Sequence, residues 1–428
     1  MPEAENILPK KDSFLALRYK DFRSYIAMRF FFTFAYQMQN VVLGAYIYDL
    51  THDKLALGLI GLSEAIPAIG LALFGGYLAD KMEKRKLLLL VLIAIFFSSV
   101  VMLIITHKGT AAYFHAGNIT LLIYTMIFFN GIARAFYSPS AFSVLANSVP
   151  KEVYPNSSTW NISSWQIASI LAPVAGGFIY GFYGITAAFT TIIIFLGIAF
   201  ISVCLLKKIQ PVFAAKERIW ESLAGGIKFV FSNKMMIGAL SLDMFSVFFG
   251  GAVALLPVFA KDILHVGPEG LGLMRGATSL GAVLTVLAMA RFSPMGKPWR
   301  NLLIAVTGFG LSIICFGLSK SFYLSLFFLF FEGAFDSVSM LIRGTIMQIL
   351  TPEHMRGRVS AVNQMFIGSS NEIGAFESGV AAKLLDTVPA VIFGGSMTLI
   401  VVTVTWLKTK KLVPLSLHDI NKSPQKTE

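Results

Sequence analysis

Two cysteines in 428 residues, Cys204 and Cys315, sit in separate apolar runs, which excludes a disulfide framework or a thiolate metal cluster. Charge is also scarce. Charged side chains make up 14% of the chain and hydrophobic ones 56%, whereas soluble globules carry about a quarter of charged residues. With a mean hydropathy of +0.71, a soluble globule is excluded and a membrane protein is expected. None of the six histidines falls in a long apolar run, so the membrane interior lacks the usual near-neutral titrating group. No GxxxxGK[ST] phosphate loop, HExxH, CxxC or GxSxG pattern occurs, so neither an ATP-driven pump nor an embedded hydrolase of these types is indicated. The chain is not expected to be an enzyme. No cofactor or metal is implied.

What is present is a succession of apolar runs long enough to cross a bilayer, which takes about 20 residues each. They cover residues 24–48, 56–79, 87–106, 119–145, 157–182 and 185–206, then 235–260, 269–291, 300–318, 322–348, 359–384 and 388–407. The expected fold is an all-α polytopic membrane protein with twelve spans in two six-helix bundles, 24–206 and 235–407. The flanking pieces are an N-terminal segment 1–23, a linker 207–234 and a basic tail 408–428. Basic residues but no cleavable apolar signal precede the first span, so the N-terminus is expected in the cytoplasm. On that topology about 26 of the 35 Lys and Arg lie inside and about 5 outside, as the positive-inside rule requires. The net charge of +12 is then accounted for by topology, and nucleic acid is not an expected partner. In the linker, Trp220, Leu223, Ile227 and Val230 recur at helical spacing, predicting an amphipathic helix along the membrane surface.

The two halves repeat. At a shift of 202, Phe129, Gly131, Pro150, Ser158, Asn161 and Gly177 meet identical residues; at a shift of 213, Phe32, Asp49 and His52 meet Phe245, Asp262 and His265. Duplicated six-helix halves are the architecture of alternating-access transporters, with the substrate near the midplane between them.

Ten ionisable residues fall within spans: Arg29, Glu64, Arg134, Asp243, Arg275, Glu332, Asp336, Arg343, Glu372 and Glu377. Each costs about 2.5–3.5 kcal/mol at a helix centre on insertion scales, so each should face a cavity or a partner. The repeat matches Arg134 with Asp336 and Asn130 with Glu332, predicting a cross-cleft ion pair between Arg134 and Asp336. Arg29 and Arg343, near span ends, are expected to snorkel. Span 1 carries a polar stripe of Arg29, Thr33, Gln37, Asn40 and Gly44. Tyr36, Tyr137, Phe245, Phe249 and Phe335 stand on spans 1, 4, 7 and 10; a partly aromatic wall there would suit an amphipathic ligand. Glu64, Asp243, Glu332, Asp336, Glu372 and Glu377 are candidate proton carriers, because desolvation and like charge disfavour a buried anion. Glycines 177 and 181 in span 5, and 272 and 276 in span 8, permit close helix contact.

Residues 80–86, "DKMEKRK", place six charges in seven positions between two apolar runs. The stretch from Gly76 through Asp80 to Arg85 and Lys86 resembles the signature loop of the major facilitator superfamily, with Glu83 in place of a glycine. "ILAPVAGG", Ile170 to Gly177, is similar to that superfamily's antiporter motif, with Ala172 where glycine is usual. Residues 351–379 resemble the branch of enterobactin exporters and macrolide efflux pumps. The resemblance implies a proton-driven exporter of small amphipathic molecules such as drugs or siderophores, a monomer in the bacterial inner membrane with both termini cytoplasmic. A lipid flippase, or a non-transporting receptor on the same fold, are the alternatives. It also implies a cavity lined by spans 1, 4, 7 and 10, and a cytoplasmic gate in which Gly76, Asp80 and Arg85 meet Arg358 at the start of span 11.

Overall fold

The computed structural model describes residues 13–209, 219–352, 355–416 and 419. Its helices are α1 Lys20–Thr51, α2 Lys54–Lys81, α3 Lys84–Thr106, α4 Ala116–Ser148, α5 Tyr154–Cys204, α6 Ile219–Ser232, α7 Lys234–Phe249, α8 Gly267–Arg291, α9 Pro298–Leu318, α10 Phe322–Leu350, α11 Arg356–Leu385 and α12 Thr387–Lys408. No strand occurs among the described residues. At about 1.5 Å per residue, the 51 residues of α5 are too long for one crossing of a ~30 Å bilayer core. The helix reverses at Gly184, where φ is 80°, a conformation that costs glycine little and other residues much. Its two arms are separate spans. The second half opens with α7, which stops at Gly250 and continues through the 3-10 turn Ala252–Leu255, Leu256–Val258 and a π turn Phe259–Ile263. Counting that broken helix once and α5 twice, and leaving α6 aside, gives twelve crossings.

Nine described segments are long and apolar enough to cross a membrane by composition. Helices α1 and α11 are not among them. Both are diluted by polar groups, Arg29, Gln37, Gln39 and Asn40 in α1 and Asn363, Asn371, Glu372 and Glu377 in α11. Protein-facing spans tolerate such groups because neighbouring helices replace lipid around them.

The end where α1 starts is here called proximal and the other end distal. Near the distal end the two halves pack backbone to backbone along two seams. On α2 and α11, a Cβ at Gly379 would stand 2.9 Å from the Gly58 Cα, and one at Gly61 would stand 2.9 Å from the Glu372 carbonyl. On α5 and α8, a Cβ at Gly177 would stand 2.9 Å from the Gly272 Cα. No side chain fits at these positions without spreading the seam, so the glycines permit the approach.

Helix α6 forms over Ile219–Ser232, within the linker where an amphipathic helix is expected. Val230 is fully buried, and with Ile227 it packs on Val359 and Val362 of α11 and Met236 and Leu240 of α7. The Trp220 and Leu223 side chains lie outside the described ones.

Candidate functional site: a charged core shared by both halves

At mid-span, where α1, α2, α4 and α11 converge, Arg134 Nη1 donates to Glu64 Oε1 at 2.7 Å and to Glu372 Oε1 at 2.8 Å. Tyr36 completes the cluster: its hydroxyl donates to Glu64, receives a hydrogen bond from Arg134 at 3.1 Å, and its ring lies 5.7 Å beneath the guanidinium. Glu64 is buried, whereas Arg134 keeps 41% of its side chain accessible. Two carboxylates thus share one guanidinium, and the cluster becomes neutral on taking up one proton. Helix α4 comes close to α2 at Gly131, where a Cβ would stand 2.5 Å from the Glu64 carbonyl.

The expected Arg134–Asp336 pair is therefore replaced. Arg134 crosses to Glu372 on α11, while Asp336 turns into its own half, lining a small pocket with Asp243, Ser246, Phe309 and Ser339. The repeat predicts equal depth but not direction. Arg343 does not snorkel either; it forms a buried ion pair with Asp243. Glu332 is buried with Oε2 unpartnered, and Asn130 is buried with Oδ1 unpartnered. The carbonyls of Glu64 and Thr278 lie against Gly131 and Gly333 respectively, so the duplicated α2–α4 and α8–α10 crossings match. The first half carries its acid on the α2 side of that crossing; the second carries Glu332 on the α10 side.

Of the aromatic wall, Tyr137 is buried, stacked on Phe32 at 4.0 Å and reached by Arg29 through its hydroxyl at 3.5 Å. Phe335 and Phe249 leave the cleft. The Phe335 ring fills the notch at Gly308 of α9, where a Cβ would stand 2.6 Å from it, and Phe249 packs against Phe393 of α12. Phe245 is 41% exposed, unlike its buried counterpart Phe32. Gln37 and Asn40 are half-buried on α1, and Glu377 is half-buried on α11. Sequence reasoning missed Gln39, whose amide accepts from Ser99 at 3.1 Å and ties α1 to α3, because it lies off the polar stripe.

For the expected gate, the side chain of Asp80 and position Gly76 lie outside the described ones. Arg85 donates to the Cys204 carbonyl at 2.7 Å, capping the C-terminal end of α5 in the same half, where a cation suits the helix dipole. Arg358 lies beneath α6, with its backbone carbonyl 3.0 Å from a Cβ at Gly226.

The distal end holds contacts that sequence reasoning did not assemble. Tyr48 donates to Asp262 and Lys261 donates to Asp49, a reciprocal exchange between positions the 213-residue shift makes equivalent. Tyr180 adds a bond to Asp49 at 2.7 Å, Lys54 pairs with Asp386, and Lys383 lies 3.5 Å from Asp53. Each duplicated helix ends on a left-handed histidine, His52 at φ 50° and His265 at φ 52°, whose ring donates back to the carbonyl four residues earlier. The repeat match of Asp49 with Asp262 and His52 with His265 was the available signal.

The family model described as Major Facilitator Superfamily matches residues 25–375. The chain belongs to that superfamily. Within the superfamily it is similar to the enterobactin exporter EntS of Citrobacter koseri, 23% identical over 399 residues covering 89% of each chain, and to that of Shigella flexneri, 22% identical over 396 residues with the same coverage. Among solved structures it is similar in fold to a D-xylose-proton symporter, TM-score 0.71 at 15% identity, covering 93% of this chain and all of that one. The nucleoside transporter NupG gives TM-score 0.71 at 13% identity, covering 91% of this chain and all of that one. These likenesses establish a helical membrane transport protein of this superfamily, not an enzyme.

Proposed function

We propose that this chain is a secondary active exporter of small amphipathic molecules, coupled to proton entry and working by alternating access. It acts as a monomer without a cofactor in a bacterial inner membrane, with both termini and the proximal end cytoplasmic. Similarity to enterobactin exporters over 89% of the chain supports export. The observation that carries the coupling is the Arg134 guanidinium held at once by Glu64 of its own half and Glu372 of the other. A proton on Glu372 removes the charge that holds the halves together there, so proton uptake and rearrangement become linked. Glu332, buried and half-satisfied, and Asp336, beside the Asp243–Arg343 pair, are the second-half candidates for proton handling.

The test is substrate-stimulated proton movement in proteoliposomes across a panel of amphipathic compounds. Glu372→Gln should reduce coupled proton flux at least tenfold while leaving compound binding within about threefold. Substrate movement without proton movement in the unaltered protein would favour a lipid flippase, and binding without movement a receptor; either result defeats the proposal.

A further inference from the structure

Three of the described intramembrane arginines have evident counterparts: Arg134 has two glutamates, Arg343 has Asp243, and Arg29 lies 5.9 Å from the face of the Tyr137 ring. Among the described residues, Arg275 on α8 has neither an acid nor a ring beside it. It donates one long hydrogen bond, from Nη2 to the Val253 carbonyl at 3.5 Å, and its Nε is buried with no partner among the described residues. A guanidinium carries five N–H donors in a planar fork matched to carboxylate-like oxygens. Leaving it unmatched at this depth is costly unless another anion visits.

Its direction is set by the helix. Gly272 and Gly276 face α5 of the first half, Thr278 and Gly281 face α10, and Leu280, Leu284 and Leu287 are exposed. Three residues are about 60° short of a full turn, so Arg275 lies between Gly272 and Thr278, pointing away from the exposed leucines. It therefore looks inward at the α5–α8 seam, beside the break after α7 that supplies the Val253 carbonyl. Here the two halves must separate and rejoin.

We infer that Arg275 is the recognition point for an anionic group on the transported molecule, a carboxylate or an ionised phenol, received as a two-oxygen partner of the guanidinium. The inference rests on the proposal that an amphipathic solute is carried between the halves. It narrows that solute to an amphipathic anion.

The test uses the full-length protein in nanodiscs and a panel of fluorescent aromatic carboxylates, 1-pyrenebutyrate among them, each paired with its methyl ester and primary amide. Affinities are read by fluorescence titration at pH 7.5. Carboxylates should bind at least tenfold tighter than their esters and amides. Arg275→Gln should bring that ratio to about one while neutral probes keep their affinity, and Arg275→Lys should retain part of it, since charge remains but the fork is lost. Equal binding of acid and ester by the unaltered protein, or no binding by any member, overturns the inference and needs no variant to fold. An unchanged ratio in Arg275→Gln with lowered thermal stability also overturns it, assigning Arg275 to bracing the α7 break. Because the readout is binding without a gradient, loss of proton coupling leaves this result standing, and a failed anion preference leaves the coupling test standing.

Discussion

A buried charge is judged by what remains when its partner is removed. In the second half, Arg343 and Asp243 expose only 5% and 8% of their side chains. Breaking such a pair by removing one member costs about 3–5 kcal/mol, because the other is left uncompensated in a poor solvent. Asp243→Asn should therefore lower the thermal unfolding midpoint in detergent clearly, whereas the double change Asp243→Leu with Arg343→Leu should lower it less than Asp243→Asn alone. If the double variant is the less stable of the two, the pair stabilises in its own right. The Arg134 cluster differs in kind. Its two acids divide one guanidinium across the halves, so loss of Glu372 leaves Arg134 still paired with Glu64, and function should suffer more than folding.

Between helices, backbone contact replaces side-chain packing. Along the α5–α8 seam, Gly177 and Gly272 leave no space for a methyl group, and the α2–α11 seam repeats this at Gly58 and Gly379. Because helices resist local bending, a side chain added here acts as a wedge along the whole seam. Gly177→Val should keep the distal end from closing without unfolding either bundle. With cysteines introduced at Lys54 and Asp386, oxidative cross-linking should fall at least fivefold in the Gly177→Val background. Cross-linking at the unaltered rate would show that the seam yields without cost. Helix α6 works by ordinary burial instead, tying α7 and α11 through Val230, Met236, Val359 and Val362.

Across the whole molecule, closure at the distal end rests on a network of exposed contacts joining the halves. Exposed ion pairs contribute about 0–1 kcal/mol each, so the network is strong enough to favour closure and weak enough to open. Asp386 is held below the usual carboxylate range, first by the Lys54 hydrogen bond, then by the Thr387 amide and the Lys54 charge. A depressed carboxyl contributes stability that is fully present above its unfolded value, about 3.9, and is lost as pH falls through its lower folded value. Spin-label distances across the distal end should thus show no Asp386-dependent opening between pH 7 and pH 5, and Asp386→Asn should change the distances at both pH values equally. An Asp386-dependent opening near pH 6 would contradict this.

The apolar spans and the duplication are written in the sequence, since runs of about 20 apolar residues and matched positions such as Gly177 with Gly379 report length and descent without any contact being known. So are the costly charges, because hydrocarbon penalises Arg134 or Glu64 wherever they point. Which charges meet was settled only in three dimensions. A repeat fixes depth along the axis, while 100° per residue, helix tilt and the notch at a glycine fix direction, and these sent Arg134 to Glu372, Asp336 toward Asp243, and Phe335 onto Gly308. The exchange of Tyr48 and Asp49 with Asp262 and Lys261 likewise exists only once the two halves lean together, for residues 214 and 212 apart become neighbours by rotation and not by spacing.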